Sequence, residues 1–325
     1  MPTFKLAALL VIVGLTVGLP VRGDAQDERR VYRIGVLNEA WSANHPAVEG
    51  LKAGLREQGL AEGRDVALDV RFAKGDPEQL RVDAAALVKA RVDLIFTSSA
   101  AATRAAMAAT QSIPIVFTLV GDPVASGVVR SLAHPGGNLT GVSSLTTVLA
   151  GKRLEMLKTL DPKIVRVWAI HYGNDPAAEA AALSAESAAA KLGMRLLSRP
   201  VWTPQDLDRA LNDLQPGDAL LPPDVGTLDI PAILLETSLA GRVPIVFTAA
   251  LYVEHGGLAS YGAEYRAQGV QAARLVAKIL RGARPADLPV EGADQIDVAL
   301  NLKTATAFEL RVPRKVLFRA NQVLR

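Results

Sequence analysis

Ser98, Ser99 and Thr103 stand where an apolar run, Val92 to Thr97, gives way to the alanine-rich segment Ala100 to Thr110. Hydroxyls beside the free backbone N–H groups of a helix N-terminus suit a carboxylate or another anion. The same serines would serve equally as ordinary helix caps. Thr118 closes the next apolar run, and Asp122 and Asp224 lie in turn sequences, Gly121-Asp122-Pro123 and Pro222-Pro223-Asp224, where an aspartate either receives an ammonium group or bonds its own backbone. Three aromatics, Trp41, Tyr172 and Tyr252, fall just beyond apolar runs, placed to stack on a ring or to pack against their own lobe.

Catalytic spacing is missing. The histidines His45, His134, His171 and His255 are scattered without metal-ligand spacing, so no metal or cofactor is expected. No two glycines are separated by one residue, and neither a GxSxG elbow nor a GxxxxGK[ST] loop occurs. These residues point to binding without chemistry, and so to a protein that is not an enzyme.

The elements that must position them come in two copies. Residues 113–118 read IPIVFT and residues 243–248 read VPIVFT. Each follows a helical segment and an earlier apolar run, Val92 to Thr103 in one case and Asp218 to Thr227 in the other. Short β-branched runs of this kind suit buried parallel strands. Helix signals lie between them: Asp76 caps a helix opened by Pro77, Thr203 caps one opened by Pro204, and Gly121-Asp122-Pro123 leads into a short helix. The expectation is an α/β protein of two similar Rossmann-like lobes, with the ligand held between the carboxyl edges of their sheets. Residues 26–143 plus 262–292 form one lobe and 144–261 plus 293–325 the other, so the chain crosses between them near Ser143, Tyr261 and Gly292. Several crossings make a hinge.

At 325 residues the chain is long enough for two cores, and its formal net charge of +3 is interspersed, which gives nucleic-acid binding little support. Residues 1–25 read as a cleavable signal peptide: Lys5, an apolar run from Leu6 to Leu19, the breaker Pro20, and Gly23-Asp24-Ala25 before the cut. That run is shorter than the roughly 20 residues needed to span a bilayer. The complete lack of cysteine removes disulfides, thiolate metal sites and the lipidated cysteine of a membrane-tethered exported protein. A free protein of the periplasm is expected, without a lipid anchor.

The run Ile113 to Val124, then Pro135-Gly136-Gly137-Asn138-Leu139-Thr140-Gly141-Val142-Ser143 and Leu149 to Glu155, resembles the ABC-transporter substrate-binding proteins that include tryptophan- and tyrosine-type binders. Gly256 to Gly262, Arg284 to Pro289 and Asn301 to Ala305 extend the likeness over nearly the whole mature chain. One departure is His134, where arginine is common in the family. The resemblance implies a type I periplasmic-binding-protein fold, venus-flytrap closure on a small carboxylate-bearing solute such as an amino acid, possibly aromatic, and delivery by a monomer to an ABC permease in the inner membrane. A periplasmic sensing module that reports to a membrane receptor would carry the same cleft, and genomic neighbourhood separates the two.

Overall fold

The computed structural model describes residues 30–39, 44–222 and 230–325. The expected signal peptide, Trp41 and Asp224 lie outside the described residues. From Val31 the chain alternates strand and helix: β1 (Tyr32–Asn38), α1 (Pro46–Glu57), β2 (Val66–Phe72), α2 (Pro77–Lys89), β3 (Leu94–Thr97), α3 (Ala100–Ala109), β4 (Ile115–Val120) and β5 (Leu139–Ser143). It continues through α4 (Thr146–Leu160), β6 (Arg166–Tyr172), α5 (Pro176–Lys191), β7 (Arg195–Val201), α6 (Pro204–Asn212), β8 (Asp218–Leu220), α7 (Ile230–Gly241), β9 (Val246–Phe247) and α8 (Ala250–Glu254). β10 (Ala259–Ala263), α9 (Tyr265–Leu280), β11 (Glu291–Gly292), β12 (Ile296–Asn301), α10 (Leu302–Ala307), α11 (Arg314–Leu317) and β13 (Gln322–Leu324) complete it.

The first lobe is built on a sheet in the order β11-β5-β4-β3-β1-β2, parallel throughout. Alternate residues serve its two faces, as strand geometry demands. Ile34, Val36, Leu94, Phe96 and Val116 pack under α1 and α9. Leu37, Ile95, Ile115 and Phe117 pack under α2 and α3, whose Leu80, Ala84, Leu87, Ala102 and Ala106 are buried. The second lobe has strands in the orders β7-β6-β8 and β9-β10-β12-β13, joined by a parallel bridge between Leu220 and Ile245. Only β10 and β12 run antiparallel among the described strands.

Both copies of the repeated run use their proline alike. Proline has no N–H to offer a ladder, so it sits where a strand begins. The carbonyl of Pro114 accepts from Ile95 N at 2.8 Å, and that of Pro244 accepts from Leu220 N at 3.0 Å. The repeat therefore marks the same structural joint in each lobe.

Helix α9 follows the second-lobe strand β10 but packs against α1 of the first lobe. Three glycines permit it. A Cβ on Gly50 would run into the carbonyl of Arg266, one on Gly54 into the Cβ of Ala273 and the carbonyl of Val270, and one on Gly269 into the carbonyl of Ala47, so the two helices touch backbone to backbone. The chain passes between the sheets after β5, after β10, and again between β11 and β12. One expectation is corrected: no helix follows Gly121-Asp122-Pro123, where residues 121–131 form turns and bends instead.

Replacing Gly269 by alanine tests the helix contact. Alanine gains about 1 kcal/mol in helix propensity, but overpacking costs about 1–3 kcal/mol and here the obstacle is backbone, which cannot swing aside. Denaturant unfolding should show a net loss of stability; an unchanged or higher midpoint would mean that α1 and α9 can separate freely.

Candidate functional site

The carboxyl ends of parallel strands from both lobes converge on one cavity of about 450 Å³. From the first lobe come the exits of β1 (Asn38, Glu39), β3 (Ser98, Ser99) and β4 (Leu119 to Gly121). From the second come the exits of β6 (Tyr172, Asn174, Asp175) and β9 (Thr248, Leu251, Tyr252). The back wall is made by residues at the crossings, Ser144, Thr146, Gly262, Ala263 and Tyr265. This is the position in which open parallel sheets hold ligands.

Four of the sequence candidates meet there. Ser98 is 4% exposed, and its hydroxyl has no hydrogen-bond partner. Ser99 caps α3, its Oγ accepting from Ala102 N at 3.0 Å, which leaves the first N–H groups of that helix beside Ser98. Tyr172 accepts from Asn174 Nδ2 at 3.2 Å through its hydroxyl. Tyr252 lies over Phe247 with ring centroids 5.0 Å apart and planes 19° from parallel. That inner stacking fixes the tilt of the tyrosine ring.

Three candidates are placed elsewhere and must be corrected as cavity residues. Thr103 is one helical turn too deep: it is wholly buried, its hydroxyl donates to Ser99 O at 2.6 Å, and it lies 2.8 Å from Thr97 Oγ1. Thr118 is also wholly buried and donates to Thr97 O at 3.2 Å. Asp122 takes the turn role, its Oδ1 accepting from Val124 N at 3.1 Å and Ala125 N at 3.0 Å. None of the three lines the cavity. Asp175 both lines it and caps α5, accepting from Ala177 N at 3.0 Å.

Several lining residues escaped sequence reasoning. Arg153 on α4 has no exposed surface, and its Nη2 donates to Thr146 O at 2.9 Å. Its signal was available, because it falls three residues after Ala150 and beside Leu154 on the buried stripe of that helix. Ser126, in the turn after β4, has a buried hydroxyl with no partner. His45 caps α1 and stacks on Tyr265 with centroids 5.7 Å apart. Its Nδ1 accepts from Ala47 N at 3.2 Å, which places the ring proton on Nε2. Burial pushes its pKa down from 6.5 to about 4. Tyr172, Tyr252 and Tyr265 are three of the five tyrosines in the chain. The lining thus mixes aromatic rings, unmatched hydroxyls and charges of both signs. Among the described residues no group of His, Asp or Glu is arranged to hold a metal ion.

Comparison with known sequences decides the family. The pattern described as ABC transporter substrate binding protein matches residues 40–324. The chain belongs to that family. Among relatives of this substrate-binding protein is a tyrosine-binding protein of Clostridioides difficile, 27% identical over 291 residues that cover 88% of this chain and 83% of the relative. A conserved domain protein from Vibrio cholerae is 28% identical, with a TM-score of 0.80 over 90% of this chain and all of that one. The ABC domain from Streptococcus pneumoniae, solved in complex with L-Trp, is 25% identical, with a TM-score of 0.79 over 91% of this chain and all of that one. The fold is the two-lobed type I periplasmic-binding-protein fold that the resemblance implied.

His45 gives this substrate-binding protein a pH signature. Its folded pKa lies below the unfolded value, so protons bind more readily to the unfolded chain and stability rises with pH. The contribution is complete above 6.5 and is lost as pH falls towards 4. His45→Asn, which keeps a good cap, should flatten the fall in Tm between pH 7 and pH 4. An equally steep fall in that variant would assign the acid sensitivity to other groups.

Proposed function

We propose that the chain is the solute-binding component of an ABC importer and that it carries an amino acid with an aromatic side chain in the cavity between its lobes. One observation carries the reading: the buried, unpartnered hydroxyl of Ser98 beside the N-terminus of α3, facing a cavity lined by three tyrosines. A carboxylate there would accept from the serine and from helix N–H groups. Of the two lining carboxylates Asp175 is engaged in capping α5, so Glu39, at the exit of β1, would receive the ammonium group in place of Asp122. Tyr172 and Tyr252 from one lobe and Tyr265 from the other side would enclose the ring. The relatives described as binding tyrosine and L-Trp support the same class of solute. The protein would work as a monomer in the periplasm, released by cleavage after Ala25, and dock on an inner-membrane permease.

The mature chain from Gln26 onward, screened by thermal shift and then calorimetry against L-tyrosine, L-tryptophan, L-phenylalanine, tyramine and L-glutamate, tests this. At 100 times Kd a ligand adds about 2.7 kcal/mol to stability. An aromatic amino acid should raise Tm while tyramine, which lacks the carboxylate, does not. Ser98→Ala should weaken that binding about tenfold, the loss of one hydrogen bond to a charged group, without lowering the ligand-free Tm. Equal shifts with tyramine and tyrosine would sink the carboxylate site, and no shift with any of the three aromatic acids would sink the aromatic reading.

A further inference from the structure

Helix α9 holds the crossings with two buried glutamines one turn apart. Gln271, 4% exposed, donates through Nε2 to Glu291 Oε2 at 2.8 Å and Gly292 O at 2.9 Å, and its Oε1 accepts from Asp294 N at 3.1 Å. Glu291 and Gly292 form β11, and Asp294 lies in the passage from β11 to β12. Gln268, 1% exposed, reaches the other way. Its Oε1 accepts from Leu119 N at 3.3 Å and from Ser144 Oγ at 2.9 Å. Since a backbone N–H can only donate, the oxygen of this amide is the atom that faces Leu119. The amide nitrogen is buried with no acceptor.

Leu119 and Ser144 both line the cavity, whereas Gln268 does not. Leu119 also has φ +56°, a left-handed conformation that a leucine adopts at a cost, at the point where the β4 to β5 register shifts. Leu145, next to Ser144, has φ +57°. Leu145 donates its own N–H to Ser143 Oγ at 3.2 Å, so the amide oxygen of Gln268 serves the strained Leu119 and the hydroxyl of Ser144 together. We propose that Gln268 is a positioning residue for the ligand site: its carbonyl oxygen holds Leu119 in the left-handed turn and ties that turn to the first crossing at Ser144. Ligand affinity depends on it although it touches no ligand. This rests on the cavity being the solute site, and one arm of the test does not.

Three variants of the mature chain separate the roles. Gln268→Met removes the acceptor, Gln268→Glu keeps an oxygen for both donors, and Leu275→Ala removes only packing from the same helix, where Leu275 is 1% exposed. Backbone hydrogen exchange at Leu119 is followed by NMR, with Leu145, whose N–H is held by Ser143 Oγ, as the internal reference, and the Kd for L-tyrosine and L-tryptophan by calorimetry. In Gln268→Met, exchange at Leu119 should speed up and Kd should rise, each about tenfold for the lost bond to a buried donor. Gln268→Glu should restore both towards wild type, and Leu275→Ala should change neither despite a lower Tm. Wild-type exchange at Leu119 in Gln268→Met overturns the proposal, as does the same local pattern in Leu275→Ala. Should the wild type bind neither amino acid, the aromatic reading fails and the exchange result alone decides the role of Gln268.

Discussion

The contact on which the molecule depends is the one between α1 and α9. Most helices meet through side chains, with axes held 8–10 Å apart by them. Here Gly50, Gly54 and Gly269 remove the side chains, and backbone rests on backbone. The approach fixes α9 rigidly to the first lobe, and α9 in turn carries Gln268 and Gln271 to the crossings. The relative placement of cavity walls follows from a spacing set by three missing Cβ atoms.

The cavity itself is a consequence of parallel strands. Every strand of the first sheet points its carboxyl end the same way, and its exits supply Asn38, Ser98 and Leu119. The second lobe does likewise with Tyr172 and Thr248. The first lobe brings hydroxyls, a helix N-terminus and the stacked His45 and Tyr265, the second the rings of Tyr172 and Tyr252, and α4 a buried cation, Arg153. Burying a guanidinium is costly unless its surroundings answer it, so the interior near Thr146 is shaped by that charge as much as by packing.

The fold was legible because its signals are local and repeated. The two IPIVFT-like runs, Asp76 before Pro77 and Thr203 before Pro204 all report on their own neighbourhood, and the structure places Asp76 and Thr203 as caps. The site was legible only in part. Strand exits could be found, which located Ser98, Ser99, Tyr172 and Tyr252. Depth could not: Thr103 lies one turn past the helix start and Thr118 points into the sheet, so their hydroxyls are used by Thr97 and Ser99. His45 and Tyr265 come from helices far apart in sequence, and their pairing depends on the α1 to α9 contact, for which spacing along the chain holds no signal. The short helices α8, α10 and α11 lack the length over which periodicity can be read.

The position of α9 in the chain has a consequence for the order in which the two lobes can fold. A chain grows from its N-terminus, and domains ordinarily fold as they emerge. Five of the six strands of the first sheet precede Ser144, yet β11 and the cover over Ile34, Phe96 and Val116 contributed by Ala272, Leu275 and Val276 come some 130 residues later or more. Until then one apolar face has only α1 upon it. The first lobe therefore cannot finish early, and both lobes reach their final state together, once nearly the whole polypeptide is present.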